Sequence, residues 1–216
     1  MPPPSLHTEP DHLVITAPTL EAGMEWIAQR LGVSMLPRIG GQHARLSTHN
    51  ALLSLGEGFY LEVIAIDPDA AAPARPRWFG MDALATDAAP RLAHWVARTD
   101  DIHAATGASS IDPGEITPMQ RGALDWLITI AADGCLPFAG LMPSLIQWLS
   151  QPHPASALPD LGCRLRRLEL AHPDAGVLLA ALRAIGVDDA RLVCRPASAP
   201  ALKAVISTPQ GDRVLE

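Results

Sequence analysis

Apolar and polar positions follow the same pattern in two stretches of the chain. His12-Leu-Val-Ile-Thr16 and His94-Trp-Val-Ala-Arg98 each begin with a histidine and continue as a short apolar run, which predicts a β-strand. A turn and a helical pattern follow each strand. About fifty residues later, a second apolar run carries one polar residue in its middle, Glu62 in the first copy and Gln147 in the second. A repeat of this length predicts two copies of one supersecondary unit.

The first copy predicts the element order β-α-β-β-β. Thr19 is a candidate helix N-cap, and apolar residues then recur with helical spacing until Gly32, where a C-terminal cap belongs. A loop-rich segment with room for a short strand follows. Two further strands are predicted at 51–55 and 59–66, joined by Gly56-Glu57-Gly58, in which glycine permits a positive φ.

The whole pattern predicts an α+β fold. Paired βαβββ modules are expected to form one cup-shaped mixed sheet, with a third, partial βαββ element packed beside it. A single domain is predicted over residues 10–209. Its parts are module 1 at about 10–67, a Pro- and Ala-rich connector at 68–90, module 2 at about 91–150, and the third partial module at about 163–209.

Composition narrows the classes of partner and compartment. The 216 residues are 48% hydrophobic and 18% charged, as in compact proteins, and the net charge of −7 argues against binding to nucleic acid. The sequence has neither an apolar run of membrane-spanning length nor a secretion signal at its start, so no membrane partner is expected. Cys135, Cys163 and Cys194 are widely spaced, which predicts buried, reduced thiols and a cytoplasmic location.

Several motifs together resemble the glyoxalase-like domain of the vicinal oxygen chelate superfamily. They are Asp11-His-Leu-Val14, Thr48-His-Asn-Ala-Leu-Leu-Ser-Leu-Gly56, Tyr60-Leu-Glu-Val-Ile-Ala65, Leu145-Ile-Gln-Trp148 and Arg167-Leu-Glu-Leu-Ala-His-Pro-Asp174. The resemblance extends over nearly the whole chain. It implies that each module curls its strands around half of a cup and that the paired halves enclose a pocket.

The resemblance also implies a set of metal ligands. In the metal enzymes of the superfamily, the first and the fourth strand of each module each supply one ligand, and these positions correspond here to His12, Glu62, His94 and Gln147. Two imidazoles, a carboxylate and an amide oxygen suit a divalent first-row metal. Zn, Fe, Mn or Ni is therefore the expected cofactor, bound to two adjacent substrate oxygens. Other members have lost the metal and only bind small molecules.

Two residues are candidates for acid-base catalysis. Glu62 lies in an apolar strand, where a carboxylate without metal is suited to remove a proton next to a carbonyl group. The alternative is a structural carboxylate held by hydrogen bonds. His49 is a candidate for proton exchange, and its neighbour Asn50 for holding a polar group of the substrate. Alternatively, Thr48 and Asn50 satisfy the backbone of a turn.

Three more residues are candidates for substrate binding. Trp78 and Phe79 are adjacent aromatics in a chain with only 4% aromatic residues, and they predict either a pocket lid or a plug beneath the connector. Arg121 is a candidate partner for a carboxylate group, with a surface position as the alternative. Pro152-His153-Pro154 reads as a rigid connector.

These features leave two functions open. The first is a metal-dependent lyase, isomerase or oxygenase that acts on a small oxygenated molecule bound in the cup. The alternative is a metal-free protein that binds or sequesters a small molecule, with Trp78, Phe79 and the cup walls as its contacts. A homodimer is expected in either case, because such modules expose sheet edges that need covering.

Overall fold

Module 1 folds in the predicted order in the computed structural model, which describes residues 6–35 and 40–216. Its elements are β1 (Thr8–Thr16), α1 (Leu20–Leu31), β2 (Gly40–His43), β3 (Thr48–Ser54) and β4 (Tyr60–Ile66). The Thr19 side chain accepts a hydrogen bond from the Ala22 backbone at 3.1 Å, and Gly32 ends α1 with a φ of 70°. Both predicted helix caps are thereby confirmed.

Module 2 repeats the order of module 1. Its elements are β5 (Arg91–Thr99), α2 (Ile102–Ala108), β6 (Glu115–Arg121), β7 (Leu124–Ile130) and β8 (Ser144–Trp148). The sequence pattern did not predict β6. This strand is polar and contains Pro118, which removes a ladder donor, and its position at the edge of the sheet tolerates both features.

The two modules form one eight-stranded sheet in the order β2-β3-β4-β1-β5-β8-β7-β6. The modules join where β1 pairs antiparallel with β5, whereas the first and last strands within each module pair in parallel. The outermost strands, β2 and β6, contact each other, so the sheet curves into a nearly closed cup. The predicted cup-shaped α+β fold is confirmed.

The third element is larger than predicted. It comprises β9 (Arg164–His172), α3 (Ala175–Ala184), β10 (Leu192–Pro196), β11 (Ala201–Thr208) and β12 (Gly211–Leu215), and its four strands form a second sheet in the order β10-β9-β11-β12. Strand β12 lies beyond the predicted end at residue 209. Its five residues are mostly polar and exposed, so they carry too little apolar periodicity to predict a strand.

The two faces of the large sheet have different roles. Residues of a strand alternate between faces, so β4 directs Leu61 and Val63 towards the helices and the second sheet, and Glu62 and Ile64 into the cup. The apolar cluster on the helix side is continuous with the core of the second sheet. Side chains that face the cup are consequently enclosed by the curved sheet.

The structure bears on two expectations from composition, the state of the cysteines and the presence of membrane-spanning segments. All three cysteines are free, but only Cys163 is buried; Cys194 is half-buried and Cys135 is exposed, so the prediction of buried thiols was wrong for Cys135. Cys135 lies in a turn, where its backbone N–H donates to the Asp133 side chain at 2.9 Å. Within residues 6–35 and 40–216, no helix has the length and apolar character needed to cross a membrane.

The close packing of α1 on β4 yields a stability prediction. A Cβ atom on Gly23 would lie 2.4 Å from Val63 Cγ1, so Gly23→Ala is expected to lower the free energy of unfolding by about 1–2 kcal/mol, despite the helix propensity of alanine. Urea denaturation measures the change. Gly107→Ala in α2 is the control, because nothing lies within 4 Å of the added atom. An equal stabilisation of both variants would contradict the close contact.

Candidate functional site

A fully buried carboxylate, Asp11, organises one side of the cup. Asp11 lies at an irregularity in the pairing of β1 with β5, where the register shifts between Pro10 and His12. Its Oδ1 atom is 2.6 Å from His12 Nδ1, and because an ionised carboxylate only accepts, the imidazole donates this bond. The other ring nitrogen, Nε2, therefore faces Glu62 Oε2 at 3.7 Å.

Two aromatic side chains from a distant part of the chain also donate to Asp11. Trp148 Nε1 lies 3.0 Å and His153 Nε2 lies 2.9 Å from Asp11 Oδ2. Burial raises the pKa of Asp11, but the hydrogen bonds from His12 and His153 outweigh it and hold this pKa well below its usual value. Asp11 is thus a permanent negative charge that fixes the orientation of His12.

The second buried carboxylate, Glu62, is held by Asn50. Asn50 Nδ2 donates to Glu62 Oε1 at 2.5 Å, while Asn50 Oδ1 accepts from the Gly41 backbone at 2.9 Å and from Arg121 Nη1 at 3.0 Å. These partners fix the orientation of the amide, since a carboxylate only accepts and a guanidinium only donates. One oxygen of Glu62 is therefore anchored and the other faces His12.

His43 completes the polar wall as a neutral imidazole. Its Nε2 atom accepts from Arg121 Nη1 at 3.3 Å, and its Nδ1 atom lies 3.1 Å from the hydroxyl of Thr48. Burial, and then the positive charge of Arg121, hold the pKa of His43 well below its usual value. His43 consequently acts as an acceptor for Arg121 rather than as a cation.

Tyr60 positions His12 from the side. The two rings stack with their centroids 4.5 Å apart and their planes 15° from parallel. Burial, and then the negative charges of Asp11 and Glu62, raise the pKa of Tyr60 well above its usual value. The phenol therefore stays neutral beside the two carboxylates.

The polar wall and an apolar wall enclose a small cavity of about 20 Å³. Its lining residues are His12, His43, Tyr60, Glu62, Trp78, Phe79, Arg121, Trp126, Ile128, Ile146 and Trp148. This volume holds about one water molecule. Trp148 also lines an open cleft of about 430 Å³, and Arg121 lines an open groove of about 570 Å³. A ligand larger than water enters the cup only when side chains at these boundaries move.

The structure brings most of the predicted site residues together. His12, Glu62, Trp78, Phe79 and Arg121 line the cavity, and Asn50 bonds two of them. The predicted catalytic residue His49 does not face the cup. It lies between Thr48 and Asn50 on β3, so alternation directs its half-buried side chain to the opposite face.

His94 and Gln147, two of the four predicted metal ligands, are occupied elsewhere. The buried His94 ring donates from Nδ1 to the Gly140 carbonyl at 3.0 Å and accepts at Nε2 from the Ser144 backbone at 3.0 Å, so both nitrogens are used. The Gln147 amide accepts from the Ile102 backbone at 3.1 Å and donates to a carbonyl at 2.8 Å. Gln147 thereby secures the start of α2, outside the cup.

The strand register explains this difference between the modules. His12 pairs with Tyr60 across the parallel strands of module 1, and Val96 pairs with Ser144 across those of module 2. Glu62 lies two residues after Tyr60 on β4, and Ile146 lies two residues after Ser144 on β8. The structural counterparts of His12 and Glu62 are therefore Val96 and Ile146, and both face the cup.

The donor set does not fit a metal site of the four-ligand type. His12 Nε2 and Glu62 Oε2 are 3.7 Å apart, a separation that suits two ligands of one ion, but module 2 places apolar Val96 and Ile146 opposite them. Within the described part of the chain, no three His, Cys, Asp or Glu side chains form a group that could hold a metal ion. The structure supplies half of the expected coordination.

Sequence reasoning missed several residues of the site. Alternation along β4 places Tyr60 on the face of Glu62, a signal that was available. The bulge that buries Asp11 leaves no signal in the sequence. His43 and His153 lie in segments without periodicity, one read as loop and the other as a rigid connector. Only the folded chain brings these two imidazoles to the cup.

The buried His94 yields a pH prediction. Burial lowers its pKa from 6.5 to about 4, so between these values the unfolded chain binds a proton that the folded chain does not. This residue is expected to lower the free energy of unfolding by about 1.4 kcal/mol for each pH unit below 6.5. The free energy of unfolding, measured by urea denaturation from pH 4.5 to 7, is expected to depend less steeply on pH in His94→Gln than in the wild type. The exposed His103→Gln serves as control, and an unchanged slope in His94→Gln would contradict the buried neutral state.

Comparisons with solved structures support the fold. A crystal structure of a hypothetical protein from Staphylococcus aureus has a TM-score of 0.63 at 11% identity, with 94% of this chain and 92% of that chain covered. Methylmalonyl-CoA epimerase from Mycobacterium tuberculosis has a TM-score of 0.43 at 15% identity, with coverage of 68% and 91%. The likeness to the Staphylococcus aureus protein is the one that supports the fold, and at 11% identity it shows the fold alone.

Comparison of the sequence with protein families gives the assignment. No curated protein matches the chain. The model of the glyoxalase-like domain family matches residues 11–186, which is most of the chain. The protein therefore belongs to the glyoxalase-like domain family.

Proposed function

We propose that the protein is a lyase or isomerase that moves a proton at a carbon next to a carbonyl group of a small oxygenated molecule. The observation that carries this proposal is Glu62, a buried carboxylate with Oε1 fixed by Asn50 and Oε2 turned towards His12 in the cavity. A carboxylate positioned in a cavity from which water is largely excluded is suited to general base catalysis.

The two acid-base groups have complementary roles in this proposal. Glu62 Oε2 accepts the proton from carbon, and the electron pair of the broken C–H bond moves to the carbonyl oxygen to form an enolate. His12 Nε2 then takes the proton from Glu62, because Asp11 holds the ring in the required tautomer and stabilises the imidazolium. Return of the proton to the substrate completes an isomerisation, whereas loss of a leaving group completes a lyase reaction.

The resemblance implies a divalent metal, but only two of the four expected ligands face the cavity. His12 and Glu62 are the two residues that would bind Zn, Fe, Mn or Ni, and the other two expected positions are apolar. For this reason the proposed proton transfer is assigned to side chains of this chain. The oxygenase alternative depends on a complete metal site and receives less support from the same residues.

One observation favours the second candidate function, a binding or sequestration protein. Trp78, Phe79, Trp126 and Trp148 line the cavity, and such a concentration of aromatic area suits binding of a small apolar compound. Glu62 separates the two functions. Binding without turnover, unchanged in Glu62→Gln, would support sequestration.

Two further expectations stay proposals. A homodimer is supported by the unpaired outer edges of β10 and β12 in the second sheet. A cytoplasmic location is supported by three cysteines that form no disulfide within the described residues.

The proposed role of Glu62 predicts the behaviour of a conservative variant. Glu62→Gln is expected to slow turnover by about 10²–10⁴-fold, because the amide cannot accept the proton, while the fold is kept. NMR measures solvent deuterium incorporation into a panel of vicinal dicarbonyls and hemithioacetals. Glu57→Gln, on the exposed turn before β4, is the matched control. Equal rates in wild type and Glu62→Gln would exclude Glu62 as the base.

The incomplete donor set predicts the metal content. Plasma mass spectrometry of untagged protein is expected to find less than one transition metal per chain, and chelator treatment is expected to leave deuterium incorporation unchanged, because only two ligands are present. About one metal per chain, lost in the His12→Ala/Glu62→Ala double variant, would instead establish the metal-dependent reaction.

A further inference from the structure

Arg121 is a cation without an acidic partner. Its guanidinium bonds two neutral acceptors, Asn50 Oδ1 at 3.0 Å and His43 Nε2 at 3.3 Å. The ion pairs found among residues 6–35 and 40–216 do not include Arg121. Because the side chain lines both the cavity and the open groove beside it, its positive charge lies at the boundary of the cup.

A second residue that lines the same cavity, Trp78, carries an unsatisfied donor. Trp78 is 4% exposed, and its Nε1 atom is buried without a hydrogen-bond partner in the described part of the chain. The indole ring meets His43 edge-on at a centroid distance of 4.9 Å, and His43 in turn contacts Arg121. Buried polar groups are normally hydrogen-bonded, so this indole N–H is a donor for an acceptor atom that reaches it.

The remaining charges in the cup orient such an acceptor. Asp11 and Glu62 are carboxylates on the His12 side, and they repel an anionic group. Arg121 and Trp78 supply donors near His43, which burial and Arg121 keep neutral. A ligand with one anionic end therefore has one favourable orientation.

We propose that the cup binds small carboxylic acids, with the carboxylate on Arg121 and Trp78 Nε1 and an enolisable carbon next to Glu62. The planar guanidinium matches the two oxygens of a carboxylate, and the indole N–H donates to one of them. This proposal names the substrate class of the proposed proton transfer and rests on that function for the position of the reacting carbon. The binding itself is independent of turnover.

Arg121 has more donors than its bonds within the sheet use. Arg121 ends β6 and bonds residues of β2 and β3, so it links the two outer parts of the curved sheet. Both of these bonds use Nη1, so Nε and Nη2 remain as donors for a ligand carboxylate. Gly41 leaves the space that Arg121 now fills, since an added Cβ would lie 2.8 Å from Arg121 Cδ.

The test compares an acid with its neutral analogue. Isothermal titration of the full chain with 2-oxobutanoate and with its methyl ester is expected to show at least tenfold tighter binding of the acid. Arg121→Gln is expected to reduce this preference to less than about threefold, and Trp78→Phe to reduce it by a few-fold. Arg45→Gln is the matched control, because Arg45 also bonds β6, at the Pro118 carbonyl, but does not line the cavity.

Several outcomes would overturn the proposal. Equal binding of acid and ester by the wild type would show that the carboxylate is not recognised. An undiminished preference for the acid in Arg121→Gln would show that Arg121 does not bind the carboxylate. Competition by inorganic phosphate as strong as that by acetate would replace the carboxylate class with anions in general. Tight acid binding without deuterium incorporation at the carbon would support this binding site and contradict the proposed function alone. Deuterium incorporation only into neutral ketones would support the proposed proton transfer and contradict the carboxylate-binding site.

Discussion

The arrangement of the cup depends on the burial of two carboxylates inside a curved sheet. Charge is costly to remove from water, so each carboxylate needs donors at the correct distance. Asp11 receives them from His12 on β1, from Trp148 at the end of β8 and from His153 beyond it. These segments belong to both modules and to the connection that follows them. The orientation of His12 is consequently a property of the whole folded cup rather than of β1 alone.

The two modules share a topology but contribute different chemistry. Module 1 supplies His12, Asn50 and Glu62, whereas the positions equivalent to His12 and Glu62 in module 2 are Val96 and Ile146. The cup therefore has one polar and one apolar wall. A symmetric pair of modules would place ligand side chains on both sides of the cup, while this asymmetric pair places its ionisable side chains along one wall.

Much of the fold could be predicted because apolar spacing records burial. The periodicity located β1, α1 and β4, and the repeat indicated the paired modules. The register of strand pairing leaves no such record. His12 and His94 begin similar sequence motifs, yet the sheet pairs β5 with β8 so that Val96, two residues after His94, takes the place of His12. A shift of this size relocates a predicted ligand without changing the predicted strand.

The site was predictable where side chains follow strand alternation and unpredictable where irregular segments meet. Glu62 and Asn50 lie on the cup face of two regular strands, and the sequence pattern named both as candidates. The aromatic plug is irregular: Phe79 adopts a φ of 57°, which is strained for a side chain of this size, and stacks on Trp78 at 4.9 Å. A hydrogen bond from the Gly80 backbone to Gly134 at 2.8 Å holds this turn in place. Because Trp78 and Phe79 line the cavity together with Glu62, their two rings limit the space that is open at this carboxylate.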